Sequence, residues 1–295
     1  MKLQTIVDSK PSEWKIGYED KVLLVGSCFS DEIGEQMAQR YLNVTCNPFG
    51  TLYNPLSIAQ AMQMTEVPQL VEHDGLWHSM AHHGSFSRAT KEEAERTVRA
   101  SIETMQQALK EATVVIVTFG TAWVYEMKGE GLPVTGYGVV GNCHKLPESC
   151  FTRRRLSVEE IVAAWRPILE RYPDKHWLFT VSPIRHIKDG LHENQISKAT
   201  LLQAVEELKN TEYRLQNTDR ISYFPSYEIM LDELRDYRFY ADDLVHPSSL
   251  AVNYIWERFV DTFCTNQTKN ELVLQHKRWK HEHHLPLHRF RTGAD

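Results

Sequence analysis

Short hydrophobic runs recur along the chain and alternate with longer segments in which apolar residues return every three or four positions. Continuous apolar runs are typical of parallel strands covered on both faces, whereas the second pattern is typical of amphipathic helices. The runs predict strands that begin near residues 22, 113, 176 and 221, and the periodic segments predict helices over 57–64, 91–110, 157–172, 197–209 and 248–263. Strands that alternate with helices predict an α/β fold, a three-layer α/β/α sandwich with a parallel central sheet.

The pattern predicts a single domain over residues 1–265, because no internal repeat, low-complexity block or linker interrupts it. Two segments without clear periodicity, near 65–90 and 125–155, are interpreted as insertions into this domain. The first is expected to be irregular or a small hairpin, and the second to contain a hairpin over 129–137.

The stretch 21–32 predicts a strand-to-helix turn. Its apolar run ends at Gly26, which permits a tight turn, and Ser30 followed by Asp31 is typical of a helix N-cap. Ser27 is therefore expected where a strand ends and a helix begins. Ligands bind at this edge of open parallel sheets, and a helix N-terminus favours negative charge. Ser27 is thus a candidate nucleophile, and the alternative is a serine that only satisfies hydrogen bonds of the turn.

A second candidate unit precedes the last predicted helix, where two residues separate Asp243 from His246. A serine hydrolase needs a nucleophile, a base, a group that orients the base, and donors for the oxyanion. The spacing allows Asp243 to reach Nδ1 of His246 within one turn, which leaves Nε2 to face a serine hydroxyl. The structural alternative is an aspartate that caps a turn and a histidine that packs on Pro247.

Together these features resemble the SGNH (GDSL-type) hydrolases. The shared features are a strand that ends in Gly-Ser, a glycine-bearing loop after the first helix, a mid-chain strand that ends in glycine, and D-x-x-H-P before the last helix. More narrowly, Gly26-Ser27-Cys28-Phe29-Ser30 looks like the signature of the GSCFA family, an SGNH-like group. The segments 47–51, 182–186 and 197–200 also look like that family, and the resemblance spans about 20–260. It implies a flavodoxin-like sheet of the SGNH type.

The resemblance also implies a role for each matching residue. Ser27 would be the nucleophile, His246 the base and Asp243 its orienting partner. The backbone N–H groups of Ser27 and Gly50 would form part of the oxyanion hole.

This chain departs from the SGNH pattern at one position. The pattern has an oxyanion-hole asparagine two residues after the mid-chain glycine, where this chain has Ala122. Removing one such donor typically costs about 10²–10³ in turnover. Either Asn142 or another group replaces it, or the activity is lower or different.

Cys28 is an alternative nucleophile, because a helix N-terminus lowers the pKa of a thiol. It ranks behind Ser27, which occupies the motif position. The structural alternative for Cys28 is packing as a small residue.

The loop after the third predicted strand is dense in cationic and hydrogen-bonding groups. We expect Arg185, His186 and His192 to line the substrate pocket, and His144 to approach it. The alternative is a solvated, charged loop that leads into a helix.

Composition excludes several classes of function. The formal net charge of −6 gives no electrostatic case for nucleic acid. The cysteines and the 14 histidines match no zinc pattern, so neither a metal nor another cofactor is expected. Five cysteines without a dense framework suit a reducing compartment, and neither a signal peptide nor a transmembrane run is evident. We therefore expect a cytoplasmic protein that is not bound to a membrane.

The last residues, 266–295, are basic and rich in histidine. We expect an extended arm that packs Trp279 and Leu287 on the domain or on a neighbouring subunit, which would make the protein a homo-oligomer. The alternative is contact with an anionic partner or a membrane surface.

These observations predict a serine esterase that removes an O-acyl group from a carbohydrate or another small polar molecule. Two other functions stay open. An acyltransferase would use the same triad with a sugar hydroxyl in place of water. A non-catalytic carbohydrate-binding module would keep the fold with an incomplete oxyanion hole.

Overall fold

A computed structural model of the chain describes residues 4–128, 138–141, 145–210 and 220–283. Its regular elements are, in chain order, β1 (Lys21–Gly26), α1 (Cys28–Ala38), β2 (Asn43–Cys46), α2 (Pro55–Gln63), β3 (Val71–His73), β4 (Leu76–His78), α3 (Lys91–Glu111), β5 (Val114–Phe119), β6 (Trp123–Met127), β7 (Phe151–Arg155), α4 (Val158–Arg171), β8 (His176–Val181), α5 (Leu191–Asn210), β9 (Ile221–Phe224), α6 (Ser226–Glu228), α7 (Ser249–Phe263) and α8 (Asn266–Glu282).

The central sheet contains five parallel strands from this part of the chain, in the order β2-β1-β5-β8-β9. Counted along the chain, this is the flavodoxin-like order 2-1-3-4-5. The predicted α/β class with a parallel central sheet is confirmed. The edge strand β2 was not predicted, because it is only four residues long and none of them is fully buried.

Both faces of the sheet are covered because side chains alternate along each strand. Leu23 and Val25 of β1 point into a core built with α2, α3, α4 and α5. Val22 and Leu24 point to the opposite face, into a core built with α1 and α7. The result is the predicted three-layer sandwich.

Two helices differ from the prediction at their N-termini. Helix α5 begins at Leu191, six residues before the predicted start at 197, directly after Gly190, whose φ is +88°. Helix α1 begins at Cys28, and its N-cap is Ser27 rather than Ser30. The Ser30 hydroxyl instead donates to Thr118 Oγ1 of β5 at 2.8 Å, so a tertiary contact uses the group that was expected to cap the helix.

The predicted insertions contain antiparallel strand pairs. Strands β3 and β4 pair within the first, and β6 pairs with β7 across the second. The hairpin expected over 129–137 lies outside the described residues.

The C-terminal segment was expected to be an extended arm, and this expectation is wrong for residues 266–282, which form α8. Thr265 caps the helix by accepting a hydrogen bond from the N–H of Thr268, and Leu272 is buried against the α1–α7 core. Leu287 lies outside the described residues. No helix in the described ranges is long and apolar enough to span a bilayer.

Candidate active site

The turn after β1 is built on a glycine that the fold requires. Gly26 has a φ of +138°, a region that L side chains rarely adopt. A Cβ at this position would lie 2.2 Å from the carbonyl oxygen of Thr118 on the neighbouring strand β5. Glycine therefore allows β1 to approach β5 closely and to turn directly into α1.

Ser27 lies at this turn as the N-cap of α1, at the carboxyl edge of the sheet. Its Oγ accepts a hydrogen bond from the N–H of Phe29 at 3.3 Å, and only 1% of the residue is exposed. Gly120 lies directly beside it, since a Cβ on Gly120 would be 3.4 Å from the Cβ of Ser27. The position next to the candidate nucleophile is therefore kept free of any side chain.

The loop 47–51 is fastened to this turn through Asp31 of α1. Asn47 Oδ1 accepts from the N–H of Gly26 at 2.8 Å, and Asn47 Nδ2 donates to the Asp31 carboxylate at 2.7 Å. Thr51 Oγ1 donates to the other carboxylate oxygen at 3.1 Å. These bonds bring the loop over the end of β1, as expected from its position in the chain.

The two predicted backbone donors of the oxyanion hole both have acceptors within the protein. The N–H of Ser27 donates to Thr118 O at 3.2 Å, and the N–H of Gly50 donates to Asn47 O at 2.7 Å. An oxyanion would have to replace these acceptors or share the N–H groups with them. The third predicted donor, Asn142, lies outside the described residues.

Ala122 is fully buried, and its N–H donates to Ser197 Oγ at 2.8 Å. The position where the SGNH pattern has an asparagine therefore packs into the core beside α5. Thr121 Oγ1 also contacts Ser197 Oγ, at 3.1 Å. A short polar network thus holds the loop that follows β5.

Asp243 and His246 form the pair that their spacing predicted. Nδ1 of His246 lies 2.6 Å from Oδ2 of Asp243, and Oδ1 accepts from the backbone N–H groups of Val245 and His246. The backbone N–H of His246, then its side chain, hold the pKa of the Asp243 carboxyl at about 2. Nε2 of His246 has no hydrogen bond within the described residues, and about half of the side chain is exposed.

The pair lies close to the helix that Ser27 caps. Glu32 of α1 has its pKa raised by burial and by two neighbouring carboxylates, and His246 is near enough to act in the opposite direction. In addition, Gln36 of α1 donates to Asn253 of α7, the helix that begins just after His246. No hydrogen bond in the described part of the chain joins Ser27 Oγ to His246. Catalytic hydrogen bonds often tighten only when substrate binds.

A family model described as the GSCFA family matches residues 21–259, a span that includes Ser27, Asp243 and His246. The chain belongs to the GSCFA family. A search of the curated proteins gave no match. Among solved structures, a family two carbohydrate esterase from Clostridium thermocellum in complex with cellohexaose is similar, with 15% identity, coverage of 91% of this chain and 67% of that chain, and a TM-score of 0.36. Similarity at this level says nothing about what the GSCFA chain acts on.

Of the predicted substrate-contact residues that the structure describes, Arg185 is the one hydrogen-bonded to the Asp243–His246 turn. Its backbone N–H donates to Val245 O at 3.1 Å, and its Nη1 donates to Leu244 O at 3.2 Å. Those two carbonyls directly precede His246. In this GSCFA protein, Arg185 therefore holds the turn that presents the candidate base.

The predicted histidines differ in their surroundings. His186 is half-buried, and its ring meets that of Tyr53 edge-on at 6.2 Å. Burial, with smaller effects from Lys198 and His246, lowers the pKa of His186 to about 3, so its imidazole is neutral at pH 7. His192 is exposed in the first turn of α5. His144 lies outside the described residues.

Cys28 does not have the low pKa that a nucleophilic thiol needs. Burial, and next the nearby Asp31 carboxylate, raise the pKa of Cys28 to about 11. The thiol is therefore protonated at neutral pH and is a weak nucleophile. Packing as a small residue is the better interpretation of Cys28 in the GSCFA chain.

The structure adds Lys198 to the residues around the site, which sequence reasoning missed. Its Nζ donates to Gly120 O and Ser182 O, each at 2.7 Å, and the residue is 1% exposed. The two carbonyls belong to the residues directly after β5 and β8. The only feature of the sequence that pointed to Lys198 was the resemblance of segment 197–200 to the family. Within the described residues, no cluster of three His, Cys, Asp or Glu side chains could hold a metal ion.

Proposed function

We propose that this GSCFA protein is a serine hydrolase that cleaves an ester, with Ser27 as nucleophile, His246 as general base and Asp243 as the residue that orients His246. The observation that carries the proposal is the 2.6 Å contact between Asp243 Oδ2 and His246 Nδ1. An ionised carboxylate at Nδ1 fixes the tautomer in which Nε2 accepts a proton.

The chemistry follows from these roles. Ser27 Oγ attacks the acyl carbon while its proton passes to His246 Nε2, and the alcohol leaves with that proton. His246 then takes a proton from a water molecule as this water attacks the acyl-enzyme. Return of the proton to Ser27 Oγ releases the carboxylic acid and free Ser27. The N-terminus of α1 stabilises the oxyanion, together with N–H groups that exchange their protein acceptors for it. The substrate would be an O-acylated carbohydrate or another small polar alcohol.

The test is labelling with a fluorophosphonate, which reacts with activated serines, followed by peptide mapping. Ser27→Ala and His246→Ala should abolish labelling and should slow hydrolysis of p-nitrophenyl acetate by about 10³-fold or more. Cys28→Ala is the matched control, because it changes the adjacent residue and leaves the triad intact. It should keep both labelling and turnover.

A second candidate function is a non-catalytic carbohydrate-binding module. It is favoured by one observation, that the N–H groups of Ser27 and Gly50 are occupied and that Ala122 is buried where the pattern has a donor. Absence of labelling together with sugar binding would support this module and contradict the hydrolase. Transfer of the acyl group to an added sugar in place of water would identify an acyltransferase.

A further inference from the structure

A cavity of about 280 Å³ lies next to the Asp243–His246 turn. Its walls come from the loop after β8, the first turns of α5 and the segment 227–240. Arg185 belongs both to this cavity and to the turn, since it donates to Leu244 O and Val245 O. The cavity therefore adjoins the turn that carries His246 through a shared residue. Its volume lies near the lower end of the roughly 300–1,000 Å³ range of small-molecule sites, which suits a single ring.

The charge of the cavity is positive. Arg185 and Arg235 both line it, and Arg235 is exposed without an ion-pair partner among the described residues. The one acid among the described lining residues, Asp236, is paired with Arg238 at 3.0 Å. A ligand with a carboxylate or a phosphate group would therefore offset this positive charge, and guanidinium groups bind both groups in a bidentate manner.

The remaining walls are partly aliphatic, from Leu191, Met230 and Leu234, and their aromatic and polar part suits a small hydroxylated ring. Tyr237 and Tyr240 flank Arg185, whose guanidinium carbon lies 5.9 Å and 5.1 Å from the two ring centres. Aromatic rings of this kind offer an apolar face together with a polar hydroxyl. Asn194 uses its side-chain oxygen to accept from the N–H of His186, which leaves its NH₂ group without a partner in the described part of the chain. These groups can meet both the faces and the hydroxyls of a sugar.

We propose that this cavity binds the alcohol portion of the ester, and that this portion is a single-ring sugar or polyol carrying one carboxylate or phosphate group. The proposal deepens the proposed function and rests on it for the role of the ligand. Arg185 connects the two sites, because a ligand bound to its guanidinium would lie beside the turn that carries His246. Arg185 and Arg235 then act as binding residues that select for charge.

Isothermal titration of the full chain with D-glucuronate, D-glucose 6-phosphate and D-glucose tests the proposal. At least one charged sugar should bind about tenfold or more tightly than neutral glucose, and the better one identifies carboxylate or phosphate as the preferred group. Arg235→Gln should weaken this preference several-fold, because Arg185 is then the only arginine left in the described lining of the cavity. Arg99→Gln, an equal change at an exposed position on α3, should retain it.

Equal affinity for all three sugars, or no binding of any, would overturn the proposal. An unchanged preference in Arg235→Gln would also overturn it, because Arg235 would then make no contact with the charged group. Fluorophosphonate labelling of the same variants separates this outcome from failure of the hydrolase. Ser27 labelling without sugar binding would contradict only the cavity, whereas binding without labelling would contradict the hydrolase.

Discussion

Two buried lysines hold the two loops that surround the candidate site, and they do so in the same way. In the Lys198 corner, defined by Lys198, Gly120 and Ser182, the ammonium donates to two main-chain carbonyls. In the Lys145 corner, defined by Lys145, Ser79 and His82, the ammonium also donates to two main-chain carbonyls. Neither lysine has a carboxylate partner in the described residues, and burial lowers the pKa of each to about 7.

The corners differ in what lies beside them. Lys198 is close enough to influence the pKa of both Cys28 and His186, so it lies against the candidate site. Lys145 lies beside His82, a buried histidine. The His82 ring stacks on Phe49 with a centroid distance of 4.0 Å and so supports the loop that carries Gly50. A buried lysine is therefore not in itself a mark of catalysis. It donates to main-chain carbonyls at turns, and its position decides whether function depends on it.

The largest effect is expected from Lys198→Met compared with Lys145→Met. Lys198→Met leaves two buried carbonyls without a donor, whereas Lys145→Met leaves only His82 O without one, because Ser79 O also accepts from the N–H of His82 at 3.4 Å. At about 1–3 kcal/mol per group, both variants should lose stability in urea unfolding. Lys198→Met should also slow ester hydrolysis by about 10²-fold, because it releases the loops beside Ser27 and His186. Lys145→Met should slow hydrolysis much less, because it reaches Gly50 only through the ring of His82. Equal losses of turnover in the two variants would contradict the distinction between the corners.

These corners also show which features a sequence reveals. The Asp243–His246 contact was predictable because it closes within one turn. The strand over 114–119 was predictable because a strand buried along its whole length has a nearly continuous apolar sequence. Lys198 was not, since a lysine within a helical pattern normally indicates an exposed position. Its surroundings depend on where β5 and β8 end relative to α5, which no local spacing encodes.

The same limit explains the errors at the site. Ser27 and Ser30 are equally good N-cap residues by type, and only the contact of Ser30 with Thr118 decides between them. Strand β2 is too short and too exposed for its pattern to indicate a strand. In both cases a partner far away in the chain decides the local structure.

A smaller effect is expected from pH, and it should come from both corners. The pKa of each lysine is about 7 in the folded protein and near 10.5 when unfolded, so the unfolded chain binds more protons above pH 7. Stability should therefore rise with pH above 7, by up to about 1.4 kcal/mol per pH unit for each lysine. Urea unfolding between pH 7 and 8.5 measures this slope.

The upper limit of that window matters. Burial raises the pKa of Cys28 and Cys264 to about 11, so above pH 9 the unfolded chain loses thiol protons that the folded chain keeps, and this opposes the rise that the lysines cause. Within the window, Lys198→Met and Lys145→Met should each reduce the slope, and the double variant should be nearly flat. A slope that is unchanged in the double variant would assign the pH dependence to other groups.

The smallest effect is expected when one hydroxyl next to each corner is removed. Ser197 Oγ accepts from the N–H of Ala122, and Ser101 Oγ lies 2.8 Å from His82 Nε2. Ser197→Ala and Ser101→Ala should each cost about 1–2 kcal/mol for the polar group left buried, less a few tenths for the better helix propensity of alanine. Turnover should fall several-fold only in Ser197→Ala, because Ala122 belongs to the loop beside Ser27. If Ser101→Ala slowed hydrolysis as much as Ser197→Ala at equal stability, the Lys145 corner would be as close to the chemistry as the Lys198 corner.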